Sequence, residues 1–270
     1  MSSSQQKTQR VSAVSNGVNW IGLYTFVRSE VLRTFRVVTQ TLVTPWISAL
    51  LYIFIFGSVV GKQIDLINGV PYIKFVLPGI LMMNIITGAF GASSNALYFQ
   101  RFIKNIEELL VAPFSYFEMM AAFTLSAVAR TILVALGIYV IAIFFGGSSI
   151  EHFWLFLFYS FAVSVIFALL GLIVGLWAKG FEQLNILSTF VIMPLSFLGG
   201  MFYSINMLPE KLQFIAHFNP FFYFIDSIRY SMIGVRETSA TVGLVMILGL
   251  IIVLGAVVHH LFKKGWRLRS

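Results

Sequence analysis

Ser93 and His259 are the residues of this 270-residue chain whose types could form a nucleophile and its base. Gly91-Ala92-Ser93-Ser94 and Gly255-x-x-x-His259 would place both on apolar helices near one end, as an intramembrane serine hydrolase requires. Small residues in that setting more often serve close helix packing, as does Gly171-xxx-Gly175. Gly57–Lys62, GSVVGK, looks like a phosphate loop. That loop needs four residues between its glycines and Ser or Thr after the Lys, whereas here there are three and Gln63 follows. His259 and His260 are neighbours, point to different helix faces and do not make a metal pair. With no Cys there is no disulfide, thiolate metal site or Cys nucleophile.

The elements that must carry these residues are membrane helices. The chain is 59% hydrophobic and only 10% charged, with mean hydropathy +0.90. A soluble domain is roughly a quarter charged, so a soluble fold is excluded. Charge-free runs give six spans, at about residues 42–61, 75–99, 128–147, 153–178, 183–203 and 241–262. The run Leu212–Ile225, with Pro209 before it and Pro220 within it, is too short to cross and predicts a re-entrant or interfacial hairpin.

Of the 18 cations, twelve fall on one side of a six-span arrangement (Lys7, Arg10, Arg28, Arg33, Arg36, Arg101, Lys104, Lys179, Lys263, Lys264, Arg267 and Arg269). Five fall on the other, namely Lys62, Lys74, Lys211, Arg229 and Arg236. The excess predicts that both termini are cytoplasmic, and it turns the +8 charge into a topology signal that speaks against nucleic acid. Arg130 is expected at the cytoplasmic end of span three, snorkelling. Residues 1–17 are expected to be a disordered tail without a cleavable signal, and 18–270 a single transmembrane domain.

Val18–Arg36 predicts an amphipathic helix. Trp20, Leu23, Tyr24, Val27, Val31 and Phe35 share one face, Ser29, Arg33 and Arg36 lie opposite, and Arg28 and Glu30 flank the stripe. The loop Gln100–Pro113, QRFIKNIEELLVAP, predicts a short helix. Its apolar stripe is Ile103, Ile106 and Leu110, and its charged stripe is Lys104, Glu107 and Glu108. Asp226 and Arg229, three residues apart, are expected to meet as a clamp. The spans offer almost no ionisable relay, so energy for uphill transport must come from a partner, and a docking helix fits that need.

Three segments, taken together, resemble the permease subunits of bacterial type 2 ABC exporters, in the compact form with a separate ATPase. They are Phe75-Val-Leu-Pro-Gly79; Arg101–Pro113 with its Glu-Glu-Leu-Leu-x-x-Pro ending; and Pro194–Phe202 followed by Leu208-Pro209, Asn219-Pro220 and Asp226-x-x-Arg229. The resemblance implies an all-α integral membrane protein of the bacterial inner membrane. It would have six transmembrane helices, an N-terminal amphipathic interfacial helix, a cytoplasmic coupling helix and re-entrant outer helices between spans five and six. Two copies would pair, with spans one, two and five at the interface, and two copies of an ATPase would dock beneath. ATP and Mg would be held by that partner and no cofactor by this chain, which itself hydrolyses no ATP.

Residue by residue, the coupling segment Arg101–Ala112 implies ATPase contact through Arg101, Lys104, Ile106, Glu107, Glu108, Leu109 and Leu110. Trp20, Tyr24, Arg28, Arg33 and Arg36 would belong to the interfacial helix. Gly199, Gly200, Pro209, Asn219, Pro220, Asp226 and Arg229 would form an outer cap or gate. Span position suggests Tyr52, Phe56, Asn84, Phe190 and Phe197 for the pathway. The cargo would be amphipathic, drug-like or lipid-linked. A membrane scaffold or assembly module using the same docking helix, and the Ser93/His259 hydrolase, are the competing readings.

Overall fold

Six helices in the computed structural model are long and apolar enough to cross a membrane. The structure describes residues 19–64, 66–111, 115–145 and 150–268, with the backbone alone at Ser58 and at 109–111. The tail 1–17, and with it Lys7 and Arg10, lies outside the described residues, as do Ala112, Pro113 and Arg269.

Helix α1 is Trp20–Arg36, and span one is α2, Thr39–Lys62. A two-stranded hairpin follows, β1 Leu66–Ile67 and β2 Val70–Pro71. Its turn is Asn68-Gly69, both at positive φ, which these two residue types tolerate best. Span two is α3, Tyr72–Phe102, and a turn leads to the six-residue α4, Ile106–Val111. Spans three and four are α5, Tyr116–Phe144, and α6, Phe153–Trp177. Span five is α7, Phe181–Leu198. Two helices too short to cross follow, α8 Glu210–Phe218 and α9 Pro220–Ile233, and span six is α10, Ala240–Lys264.

Helices α3 and α6 form the centre. Gly171 and Gly175 on α6 let the two backbones meet: a Cβ on Gly175 would sit 2.9 Å from the Ser94 carbonyl, and one on Gly171 would collide with Ser93 and the Phe90 carbonyl. Helix α5 packs on both, and Trp46 of α2 donates its indole N–H to the Val134 carbonyl at 3.1 Å. Helices α2 and α7 flank α3 and leave most of their surface uncovered. Both contain π-helical turns, Thr39–Val43 and Ile55–Val59 in α2 and Ser188–Ile192 in α7. The first and last of these run into Pro45 and Pro194, whose missing N–H groups loosen the same turns.

Two span boundaries differ from expectation. Span three starts at Tyr116 and not near 128, because Ser115 and Glu118 form a capping box that fixes the helix start. Arg130 is therefore the fifteenth of 29 residues of α5, and it shares a pocket with Arg33, Thr34, Val37 and Thr41 at the start of span one. Span five stops at Leu198 and does not reach 203. Gly199 ends it and Gly200, at φ +77, turns the chain.

Candidate functional site

At the α4 end, the last turn of α3 is bolted to the α6–α7 junction. Arg101 Nη1 donates to the Gly175 carbonyl at 2.7 Å and the Leu176 carbonyl at 3.0 Å. These are orphan acceptors at a helix C-terminus, where a cation also suits the helix dipole. Tyr98 donates its hydroxyl to the Lys179 carbonyl at 3.1 Å, and the rings of Tyr98 and Phe102 pack edge-on against Phe181. The guanidinium of Arg101 thus serves the bundle rather than the outer surface. Lys104 sits at φ +60 in the turn after α3, so the expected single helix over 101–112 is a helix end, a turn and α4.

Ile106 anchors α4, 2% exposed, in an apolar cluster with Leu97, Met119 and Phe123. Around that anchor Phe102, Ile103, Lys104, Glu107 and Glu108 are exposed. The expected apolar stripe is therefore split, with Ile106 inward and Ile103 outward. Leu109 and Leu110 lie in the helix, their side chains outside the described part. The result is a rigidly held knob that presents two carboxylates.

Helix α1 lies along the first half of α5. Glu118 Oε1 accepts from the Asn19 backbone N–H at 2.5 Å, while its Oε2 accepts from the Ser115 N–H at 2.6 Å. Phe26 meets Phe123 edge-on at 4.9 Å. The less exposed side of α1 runs through Leu23, Phe26, Val27, Glu30, Val31, Arg33 and Thr34. Arg33, expected opposite the apolar stripe, is half-buried. It pairs with Glu30 at 2.6 Å, the one ion pair among the described residues, and lies 5.8 Å over Phe99. Trp20, Tyr24, Arg28, Phe35 and Arg36 are exposed. An aromatic stripe with basic neighbours needs no protein partner where lipid can cover it.

At the opposite end, the cap motifs converge. Arg229, wholly buried, donates from Nη2 to the Gly200 carbonyl at 2.6 Å and from Nε to the Phe75 carbonyl at 3.4 Å. Its guanidinium lies 3.9 Å over the Phe75 ring. Asp226 does not pair with it. Asp226 accepts from the backbone N–H groups of Glu237 at 2.8 Å and Thr238 at 3.0 Å, and from the Thr238 hydroxyl. The expected Asp226–Arg229 clamp is two separate clamps, one on the approach to α10 and one on α3. Burial pushes the Asp226 carboxyl above the usual range, opposed by those hydrogen bonds and by the charge of Arg229.

Asn219 breaks the α8–α9 pair: its side chain caps Phe221 N–H and donates to the Leu195 carbonyl at 2.7 Å. Pro209 and Pro220 sit at the starts of α8 and α9, where no helical N–H is needed. Gly199 lies against the Phe222 backbone, and a Cβ on Gly79 would come 2.5 Å from the Met201 carbonyl. Glu237, not singled out by sequence, accepts from Asn68 of the hairpin at 2.7 Å and from the Ile205 N–H at 3.2 Å. The Asn68-Gly69 turn signal could have pointed to that end, but nothing in the sequence pointed to Glu237.

Tyr52, Phe56 and Phe197 come together around Phe202. Phe56 stacks on it at 4.0 Å, with Phe197 at 5.5 Å and Tyr52 at 6.3 Å. Asn84 lies apart on α3, facing a cavity, and Phe190 lies apart on the outer surface of α7, 74% exposed. Ser93 is wholly buried at the α3–α6 contact, with its hydroxyl donated to its own helix. His259 opens into an apolar groove between α5, α6 and α10. Ser93 and His259 do not meet, so they form no nucleophile–base dyad.

Two of the three segments that suggested a family thus meet in one hub, and the third forms the knob at the other end of α3. The profile of the family described as "ABC-2 type transporter" matches residues 22–233. The chain belongs to the ABC-2 type transporter family. This ABC-2 permease is 34% identical over 252 residues to the "Inner membrane transport permease YadH" of Escherichia coli K12, covering 93% of this chain and 98% of that one. It is 27% identical over 225 residues to "Nodulation protein J" of Rhizobium meliloti, covering 82% and 83%. Beyond the short hairpin the fold is helical, with six helices among the described residues long and apolar enough to cross a membrane, and the chain is a transmembrane subunit of an ABC transporter.

Proposed function

We propose that this permease is the pathway-forming half of an exporter of the inner membrane. Two copies pair along α2, α3 and α7, and two copies of a separate ATPase dock on α4. Spans one and five support that pairing: they flank α3, carry π-turns and leave their outer surfaces uncovered. The α4 end is cytoplasmic, the hairpin end faces outward, and the α8–α9 pair dips into the outer leaflet as a cap. ATP and Mg are bound by the partner. The cargo is amphipathic, drug-like or lipid-linked.

The observation that carries this reading is that one helix links the knob to the cap. Helix α3, 31 residues and about 46 Å at 1.5 Å per residue, is held at its α4 end by Arg101 and Tyr98. At its other end Arg229 grips Phe75, and Met201 presses on Gly79. A displacement of α4 by the ATPase is passed along a hydrogen-bonded rod to the cap, where the Tyr52/Phe56/Phe197/Phe202 cluster closes the outer mouth between spans one and five. The permease co-expressed with its cognate ATPase should purify as a two-plus-two complex by native mass measurement. A permease that remains alone in the presence of that ATPase contradicts the proposal.

A further inference from the structure

A cavity of about 680 Å³ opens between the end of α1, α2, α3, α5 and the start of α7, and Arg130 lines it. Arg130 is mid-helix in span three and has no hydrogen bond or ion pair among the described residues. Beside Arg33, Thr34, Val37 and Thr41 it sits level with the start of span one, where an arginine snorkels to the membrane edge or takes up an anion. Arg33 lines the same cavity and shares with Arg130 a narrow side pocket of about 40 Å³. The nearest carboxylate, Glu30, already pairs with Arg33, so two guanidiniums face one carboxylate.

The rest of the wall fits a ligand with two characters. Asn84, Thr87 and Asn95 form a polar stripe on α3, each bonded back to a carbonyl of its own helix, at 2.9, 2.8 and 2.7 Å. Each amide keeps a second N–H for a ligand, beside the guanidinium of Arg130. Val37, Pro45 and Val134 supply an apolar wall. A guanidinium recognises phosphate through parallel N–H donors, and an apolar wall takes a chain.

We propose that Arg130, assisted by Arg33, binds the phosphate head of an anionic amphiphile in this cavity, with the acyl or prenyl chain against the α2–α5 wall. This rests on the exporter reading and narrows its cargo. The same head chemistry belongs to a resident membrane phospholipid, and the test separates the two.

The test uses the whole permease in phosphatidylcholine nanodiscs without ATPase. Binding of a fluorescent lysophosphatidic acid is compared with that of the matching uncharged monoacylglycerol. The phosphate probe should bind saturably and at least tenfold tighter. Arg130→Gln should remove that preference, Arg130→Lys should retain part of it, and Arg33→Gln should weaken it several-fold. Loss in Arg130→Gln counts only with an unchanged unfolding temperature, and the Lys variant keeps the test valid if the Gln variant fails to fold. Full displacement by phosphatidylglycerol identifies a lipid-headgroup site, whereas retention against phosphatidylglycerol identifies a site for an exported phospho-amphiphile. Equal binding of both probes, or binding untouched in a folded Arg130→Gln, overturns the proposal, as does a cavity filled by the second copy, which would admit neither probe. Because no ATPase is present, a negative result here leaves the exporter reading standing. Conversely, loss of coupling in α4 variants leaves this binding unchanged.

Discussion

The guanidinium of Arg229 lies 3.9 Å above the ring of Phe75, and the carbonyl of that same phenylalanine accepts from Arg229 Nε. One residue of the cap thus holds the first turn of span two by its ring and its backbone together, while its other arm holds Gly200. Arg229→Met should lower permease stability by about 2–4 kcal/mol, since two carbonyls lose their buried donor and the cation–π contact disappears. Arg229→Lys should fall between, because an ammonium cannot span both acceptors. Thermal unfolding in detergent reads this, and a Met variant as stable as wild type would remove Arg229 from the hub.

The capping box at Ser115 and Glu118 also holds α1, through the Asn19 N–H. Glu118→Ala should cost about 1–2 kcal/mol. Hydrogen exchange should rise selectively at the start of α1 and the first turn of α5. Uniform exchange along both helices would contradict the shared role.

Burial raises the Glu30 carboxyl above the ordinary carboxylate range, against the opposing pull of Arg33, the Gln100 side chain and Arg130. A folded state that holds its proton to higher pH than the unfolded chain is more stable at low pH. It loses that advantage as pH rises from the ordinary carboxylate range through the raised value. Glu30→Gln should match wild type at acid pH and gain relative stability as pH rises through that window. A wild type that gains on the variant over the same range would show that the pair with Arg33 dominates.

Much of this was legible in the sequence, for identifiable reasons. Six spans follow from apolar length, which the bilayer fixes. The span-three start was missed because a charge-free window stops at Arg130, while the local signal, Ser115-x-x-Glu118, lies upstream of it. Spacing correctly placed Asp226 and Arg229 on one short helix. Partner choice was not legible, since their acceptors and donors are backbone groups of Phe75, Gly200, Glu237 and Thr238, brought in by tertiary packing. Arg101 illustrates the same limit: its acceptors belong to α6, more than 70 residues away. The aromatic cluster was half visible: Tyr52, Phe56 and Phe197 are suggested by span position, but Phe202, on which they converge, lies past the end of span five.

In the proposed exporter, α4 receives the power stroke through Glu107 and Glu108. Both are exposed and bear no load within the bundle, so Glu107→Ala/Glu108→Ala should leave the unfolding free energy within about 0.5 kcal/mol of wild type. The direct measurement is ATP hydrolysis by the cognate ATPase assembled on the permease in lipid nanodiscs. With the double variant, permease-dependent stimulation of hydrolysis should fall at least tenfold while the permease remains folded and inserted. Stimulation equal to wild type would contradict the account.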